Sequence, residues 1–308
     1  MSQDQSFSLN RLPILQEEGI GRFPKWLHRS IPKGGQLFKT NSILEKYGVN
    51  TVCEEAKCPN RLECYTKKTA TFLVMGKTCT RACGFCDIDF SKNPKPLDVD
   101  EPMKIAYSVK DLGLKHAVIT MVARDDLEDG GANHLRNILV KIKELNPDST
   151  IEILTSDFLG NLEALRLVLQ ERPLVFNHNV ETVRRLTSKI RHTATYDRSL
   201  LVLSEAKKSG LVRLIKSGIM VGLGETKEEV HETLHDLKDA GCDIVTIGHY
   251  LQASRKKLSV KQFITPDQFE QYAEYGRKIG IPNVYSGPFV RSSYNADLLT
   301  GLALEGAN

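Results

Sequence analysis

The chain has 308 residues, 41% apolar and 26% charged, which excludes a mostly disordered polymer and allows one large domain with extensions or two small ones. Its 42 Lys and Arg exceed its 38 Asp and Glu by four, with no dense basic block, so a nucleic-acid partner is not expected. No apolar stretch approaches the ~20 residues that a membrane span needs, so no membrane association is expected either.

The first 45 residues are polar and carry Pro13, Pro24, Pro32 and the pair Gly34-Gly35. They read as an extended arm with at most short helices, pinned to the main domain by Trp26, the single tryptophan. The N-terminus lacks the charged start and apolar run of a secretory signal, so the expected location is the cytoplasm. Seven cysteines in a reducing compartment are not expected to form disulfides. Residues 46–69 hold the first three of them, and from about residue 70 the pattern alternates. Strands are expected at 71–75, 116–120, 150–154, 174–176, within 214–221, at 243–247 and, as a short extra, at 283–286. Helices are expected at 102–112, 132–145, 162–170, 180–190, 199–208, 227–240 and 266–279. Gly113, Gly210 and Gly241 stop three of these helices, and Pro266 starts the last.

Strands alternating with helices of this length imply βαβ units and a parallel sheet. Six repeats are too few for a closed eight-fold barrel. The expected fold is a partial (β/α)6 TIM-like barrel over residues 70–280, with a C-terminal segment at 281–308. Periodicity alone does not separate it from a doubly wound sheet. A parallel barrel places its chemistry at the C-terminal ends of the strands. Directly after the first strand come Cys79, Cys83 and Cys86, spaced C-x3-C-x2-C. Three thiolates on one loop can hold three irons of a [4Fe–4S] cluster, which normally takes four ligands, so one iron stays open to another molecule. A zinc site would favour paired C-x2-C motifs or a nearby His pair, and neither is present.

This loop, with Phe85 before its last cysteine, resembles the signature of the radical S-adenosylmethionine superfamily. The resemblance implies that the open iron binds the amino and carboxylate groups of S-adenosylmethionine, and that reduction cleaves the sulfonium to methionine and a 5′-deoxyadenosyl radical. A second triplet, Cys53, Cys58 and Cys64, is spaced C-x4-C-x5-C and again lacks a fourth cysteine. Cys242, the only other thiol, reads as a small core residue. Arg291-Ser292-Ser293-Tyr294 lies near the C-terminus. The two triplets with this RSSY sequence closely resemble the lipoyl synthase family. Residues 122–131, 178–182, 216–225 and 239–246 resemble it too.

In that family the triplet matching Cys53, Cys58 and Cys64 and an RSSY serine hold an auxiliary [4Fe–4S] cluster that is consumed as the sulfur source. Ser293 is the ligand by position, with Ser292 the alternative, and Arg291 is expected beside the cluster or the intermediate. The implied reaction inserts two sulfurs at C6 and C8 of an octanoyl chain on a lysine of a lipoyl carrier domain, using one S-adenosylmethionine per sulfur. The implied partners are octanoylated lipoyl domains of 2-oxoacid dehydrogenase acyltransferase subunits or the glycine cleavage H protein, and an electron donor such as flavodoxin or ferredoxin.

Other candidates follow the strand ends. Gly222-Leu-Gly224-Glu225 resembles the superfamily's glycine-containing strand that admits adenine, or else forms a turn and helix cap. Arg124 after the second strand, and Asn177 and His178 after the fourth, are assigned to cofactor binding, against solvated or structural roles. The superfamily's Gly-Gly-Glu after the second strand is not matched by Thr120–Asp126, which leaves the contacts to the methionine amino group unassigned. Competing readings are a biotin synthase-like enzyme with auxiliary ligands inside the barrel, a two-cluster electron carrier and a zinc-stapled binding module.

Overall fold

The computed structural model describes residues 24–28 and 35–305. The rest of the expected arm, residues 1–23 and 29–34, lies outside the described residues. Trp26 packs its ring toward His249 and Phe263, at centroid distances of 6.0 and 6.5 Å. Helix α1 (Gln36–Tyr47) is longer than the short helices expected there and runs through the boundary at residue 45. Its Leu37, Thr40, Ile43 and Leu44 recur at helical spacing and turn inward.

The short strand β1 (Asn50–Thr51), α2 (Val52–Glu55) and α3 (Arg61–Thr66) precede β2 (Thr71–Val74). A two-residue ladder, β3 (Thr78–Cys79) with β4 (Asp89–Phe90), frames the cysteine loop. Six repeats then follow from β2: α4 (Glu101–Leu112), β5 (His116–Met121), α5 (Ala132–Leu145), β6 (Thr150–Leu154), α6 (Leu162–Leu169), β7 (Val175–Asn177), α7 (Arg184–Ile190), α8 (Tyr196–Lys208), β8 (Leu214–Val221), α9 (Lys227–Asp239), β9 (Ile244–His249) and α10 (Pro266–Lys278). Strand β10 (Asn283–Gly287) and α11 (Ala296–Glu305) end the described chain.

The sheet order is β1-β2-β5-β6-β7-β8-β9-β10, parallel from β2 to β10, with β1 antiparallel on the edge. Sequential order without a switch point is that of a partial barrel, not a doubly wound sheet. Every residue of β2 and of β9 is buried, as strands covered on both faces require. Capping boxes start α9 (Thr226 with Glu229) and α10 (Thr265 with Gln268). Strand β10 pairs with β9 over five residues, so the parallel sheet continues past residue 280. Helix α7 starts only at Arg184, because Val183 before it is extended and Glu181, at φ +67°, forms a parallel bridge to Ile219.

The seam between β2 and β10 is spanned by the two extensions. The Asn60 side chain donates to the Phe289 carbonyl at 2.8 Å, and the Tyr294 hydroxyl donates to Glu63 at 2.8 Å. Lys67 reaches Asn295 at 3.3 Å. The C-terminal segment also crosses close over β9: a Cβ at Gly248 would lie 2.1 Å from the Val290 carbonyl oxygen. Ala303 of α11 packs on Val175, Leu214 and Ile244, the first residues of three strands, and so covers the lower end of the barrel.

Inside the barrel sits a fully buried ion pair. Lys216 Nζ lies 3.0 and 3.1 Å from the two Glu152 oxygens, and Asn177 Nδ2 donates to Glu152 at 3.1 Å. Burial pushes the Glu152 carboxyl up, but Lys216 and His116 more than offset this and hold it below the usual carboxylate range. Removing one partner of such a pair strands the other. Lys216→Met is therefore expected to cost about 3–5 kcal/mol in urea unfolding of the cluster-free chain. Adding Glu152→Leu should recover most of that loss, and an additive double variant would contradict the pairing.

Candidate functional site

Strand β2 ends at the mouth of the barrel, and the chain turns at Met75, whose φ is +71°. The loop carrying Cys79, Cys83 and Cys86 is then tied down on three sides. Thr80 bonds the Ala123 carbonyl through both its amide and its hydroxyl, each at 3.0 Å. The Gly84 amide donates to Ile190 at 2.8 Å, and its carbonyl accepts from Leu258 at 3.1 Å. Between the first two cysteines, Arg81 is buried and forks onto Asp125 at 2.7 and 2.8 Å and onto Asp157 at 2.6 Å. Asp157 also accepts from Arg198 at 2.6 Å. Burial would raise the Asp157 carboxyl, but Arg81 and then His178 and Arg198 hold it down to about 2. The cysteine loop is thus locked to the ends of β5 and β6 by bidentate contacts that lysine could not reproduce.

The three thiols open into a cleft of about 630 Å³ at the C-terminal ends of the strands. Phe85 lines it, with Leu73, Val122, Leu154 and Met220 giving apolar walls. His178, Asn179, Glu181 and Arg191 form a polar wall, and Arg291, Ser292 and Ser293 close another side. The other triplet lies next to it. Cys53, Cys58 and Cys64, on α2, α3 and the turn between them, surround a hollow also lined by Arg291 and Ser293. Cys58, Arg291 and Ser293 line both spaces, so the two triplets share a wall. Ser292 lines only the larger cleft, where its hydroxyl accepts from Asn179 at 3.3 Å.

Several expected site residues are placed elsewhere. Arg124 is buried with its guanidinium clamped on Asp126 by two bonds of 2.8 Å, and it does not line the cleft. Asn177 faces the Glu152–Lys216 pair below the cleft floor. Gly222, Gly224 and Glu225 are absent from the lining too. The Glu225 carboxylate accepts from the Gly222 and Leu223 amides, which makes this stretch a self-capped turn. Gly222 is needed there: its φ is +103°, and a Cβ would meet the Gln262 carbonyl at 2.8 Å and His249 at 2.9 Å.

Conversely, the polar wall contains residues for which the sequence gives no expected role, although Glu181 lies in the family-like stretch 178–182. Glu181 sits within the stretch expected as a helix, yet its φ of +67° aims it at the cleft. Burial pushes its carboxyl up, with Arg191 pulling the other way. Arg191 is buried, and its guanidinium donates to the Val180 carbonyl at 2.9 Å and to Ser199 at 3.2 Å.

A family model for the radical SAM superfamily matches residues 73–237. The lipoyl synthase of Protochlamydia amoebophila is 64% identical over 283 residues, 91% of this chain and 88% of that one. The lipoyl synthase of Chlamydia felis is 54% identical over 278 residues, 90% and 89% of the two chains. The chain belongs to the lipoyl synthase family, within the radical SAM superfamily. Solved structures agree on the fold. Streptococcus suis SuiB bound to S-adenosylmethionine aligns with a TM-score of 0.56 at 14% identity, over 81% of this chain and 53% of that one. HydG, a maturase of the [FeFe]-hydrogenase, aligns with a TM-score of 0.56 at 13% identity, over 86% and 66%.

The donor sets suit the two [4Fe–4S] clusters of a lipoyl synthase. Burial pushes the Cys53 and Cys86 thiols up to about 12, and those of Cys64 and Cys83 up to about 11. Such thiols become thiolates only when iron supplies the compensating charge, so assembly of each site releases protons. Among the described residues no three His, Cys, Asp or Glu side chains converge on a single ion. A cluster asks for a different arrangement, with one iron for each thiolate.

His178 is a satisfied buried imidazole at the edge of the cleft. Nδ1 faces the Thr155 carbonyl at 2.9 Å, which can only accept, so Nδ1 carries the hydrogen. Nε2 then accepts from the Ser199 hydroxyl at 3.0 Å. Burial, then Arg191, lowers its pKa to about 4. The unfolded imidazole protonates near ~6.5, so between these values the unfolded chain binds a proton that the folded chain does not. Stability is expected to fall by about 1.4 kcal/mol per pH unit as pH drops through this window. His178→Gln should make the slope shallower without abolishing it, since burial also lowers His249. Urea unfolding of cluster-free protein between pH 7 and pH 4 is the measurement, and an unchanged slope counts against the assignment.

Proposed function

We propose that the two cysteine triplets divide the labour of a lipoyl synthase across one shared cleft. The enzyme is a radical SAM sulfurtransferase that uses S-adenosylmethionine and two [4Fe–4S] clusters. It inserts two sulfur atoms at C6 and C8 of an octanoyl chain held on a lysine of a lipoyl carrier domain. When bound, the clusters supply reductive cleavage of the sulfonium and the sulfur that is inserted, work that protein side chains cannot do alone.

Cys79, Cys83 and Cys86 hold the cluster that faces the open cleft. Cys53, Cys58, Cys64 and Ser293 hold the other, with Arg291 beside it. Glu181 and Arg191 offer a carboxylate and a guanidinium to the ammonium and carboxylate ends of S-adenosylmethionine, and Phe85 flanks the cysteine loop. Leu73, Val122, Leu154 and Met220 give the acyl chain an apolar wall and keep water from the reacting carbons. Residues 46–69 and the C-terminal segment after β10 act as the auxiliary-site segments on a barrel whose sheet runs from β2 to β10. The carriers are the lipoyl domains of 2-oxoacid dehydrogenase acyltransferase subunits or the glycine cleavage H protein. A flavodoxin or ferredoxin supplies electrons, and the setting is the cytoplasm. Among the described residues no helix is long and apolar enough to cross a membrane.

The observation that carries this reading is the wall of Cys58, Arg291 and Ser293 common to both spaces. It lets a chain activated on one side meet sulfur on the other. The test is anaerobic incubation of reconstituted protein with S-adenosylmethionine, dithionite and an octanoyl-lysyl peptide, scored by mass. Product with two added sulfurs is expected. Deoxyadenosine released with no sulfur gained by the peptide would overturn the reading.

A further inference from the structure

The loop that joins β9 to α10 carries four cations in seven residues: Arg255, Lys256, Lys257 and Lys261. Among the described residues none of these four side chains is held in an ion pair. Arg255, Lys256 and Lys261 are exposed. Asp87, at the same rim, is already bonded to Lys57 at 2.6 Å and to the Ser254 hydroxyl at 2.9 Å. The loop is not loose. The Leu258 amide bonds the Gly84 carbonyl at 3.1 Å, the Tyr250 hydroxyl bonds the Leu258 carbonyl at 2.6 Å, and the Gln252 side chain bonds the Lys257 carbonyl at 2.8 Å. A Cβ on Gly84 would lie 2.9 Å from Leu258, so the loop is seated closely on the cysteine loop. Its first residues, Leu251, Gln252 and Ala253, line the cleft itself.

We propose that Arg255, Lys256, Lys257 and Lys261 form the docking surface for an acidic face of the protein domain that carries the acyl-lysine. The inference rests on the function proposed above. A chain attached to a folded domain can enter the cleft only if that domain settles on its rim. The rim here presents a cluster of positive charge, not held in ion pairs among the described residues, on a pinned backbone a few residues from the cleft wall. Repulsion among clustered like charges is relieved when an acidic surface arrives, and such complementarity acts mainly on encounter and on KM. The cations stay outside the cleft, so they select the carrier without touching the reacting chain.

The test compares two substrates under one chemical reductant, dithionite: a short octanoyl-lysyl peptide and an intact octanoylated carrier domain. The variant is Arg255→Glu with Lys256→Glu and Lys257→Glu in the full reconstituted protein. Peptide turnover and deoxyadenosine formation should match the unsubstituted enzyme. KM for the carrier domain should rise roughly tenfold or more, and its dependence on salt should flatten. If the triple glutamate variant fails to fold, the same three positions as Gln should give a smaller rise in the same direction. Equal kinetics on both substrates would overturn the proposal, as would be seen if the surface served an electron donor, which dithionite bypasses. Parallel losses on peptide and domain would overturn it too, by assigning the loop to the shape of the cleft. Failure of the unsubstituted enzyme on both substrates would instead overturn the function on which the proposal rests.

Discussion

Replacing Cys79, Cys83 and Cys86 together with Ala is expected to abolish deoxyadenosine formation and all sulfur insertion. Iron should fall from about eight to about four per chain, the content of one remaining [4Fe–4S] site. Replacing Cys53, Cys58 and Cys64 should give the complementary result: a similar loss of iron, no sulfur product, and retained reductive cleavage of S-adenosylmethionine. The separation follows from where the residues stand. The first set lies on a loop after β2, fixed by Arg81 to Asp125 and Asp157. The second stands on α2, α3 and the turn between them, stitched to the C-terminal segment through Asn60, Glu63 and Lys67. Two salt bridges join the segments, Lys57 to Asp87 at 2.6 Å and Lys77 to Glu55 at 2.7 Å, but the contacts that fix each triplet's backbone are its own, so each site should assemble alone. The decisive measurement is iron content beside deoxyadenosine yield for both variants. Cleavage surviving in the first variant, or lost from a folded second variant, would sink the division of roles.

Features carried by local pattern were legible in the sequence. Alternating apolar runs and capped helices gave the six repeats, and cysteine spacing marked both triplets. What the sequence hid were pairings set by register between distant strands. Nothing local distinguishes Lys216 as the partner of Glu152, because the match exists only once β6, β7 and β8 lie side by side. Arg124 stands at a strand end and looked like a cofactor contact, but Asp126 two residues on captures its guanidinium. Arg81, two residues after a cysteine, turned out to lock the loop by reaching residues 44 and 76 positions away. The turn of Gly222, Gly224 and Glu225 satisfied itself, since a carboxylate three residues past a glycine amide can reach back to it. Glu181 was hidden for the opposite reason. Its neighbours have helical spacing, and only a tertiary bridge to Ile219 holds its backbone in a conformation that helices do not allow.

Ser293→Ala should leave the catalytic site nearly untouched while lipoyl product falls severely, because Ser293 alone of the two RSSY serines borders the hollow among Cys53, Cys58 and Cys64. Ser292→Ala should be much milder, since that hydroxyl is turned to Asn179. An alkoxide is a poor match for iron beside three thiolates, and a site that must give up sulfur gains from one ligand that leaves readily. Ser293→Cys would supply a fourth thiolate that holds iron more tightly. The expected outcome is a more durable auxiliary site that yields less product, so stronger ligation should lower turnover. Three readings separate the possibilities: iron retained after exposure to a chelator, deoxyadenosine formed, and sulfur added to an octanoyl-lysyl peptide. If Ser292→Ala loses the auxiliary iron and Ser293→Ala keeps it, the ligand is Ser292, and the C-terminal segment must rotate about Arg291 to present it. If neither change affects iron retention, the fourth position belongs to another group, and the shared wall of Cys58, Arg291 and Ser293 serves only to shape the cleft.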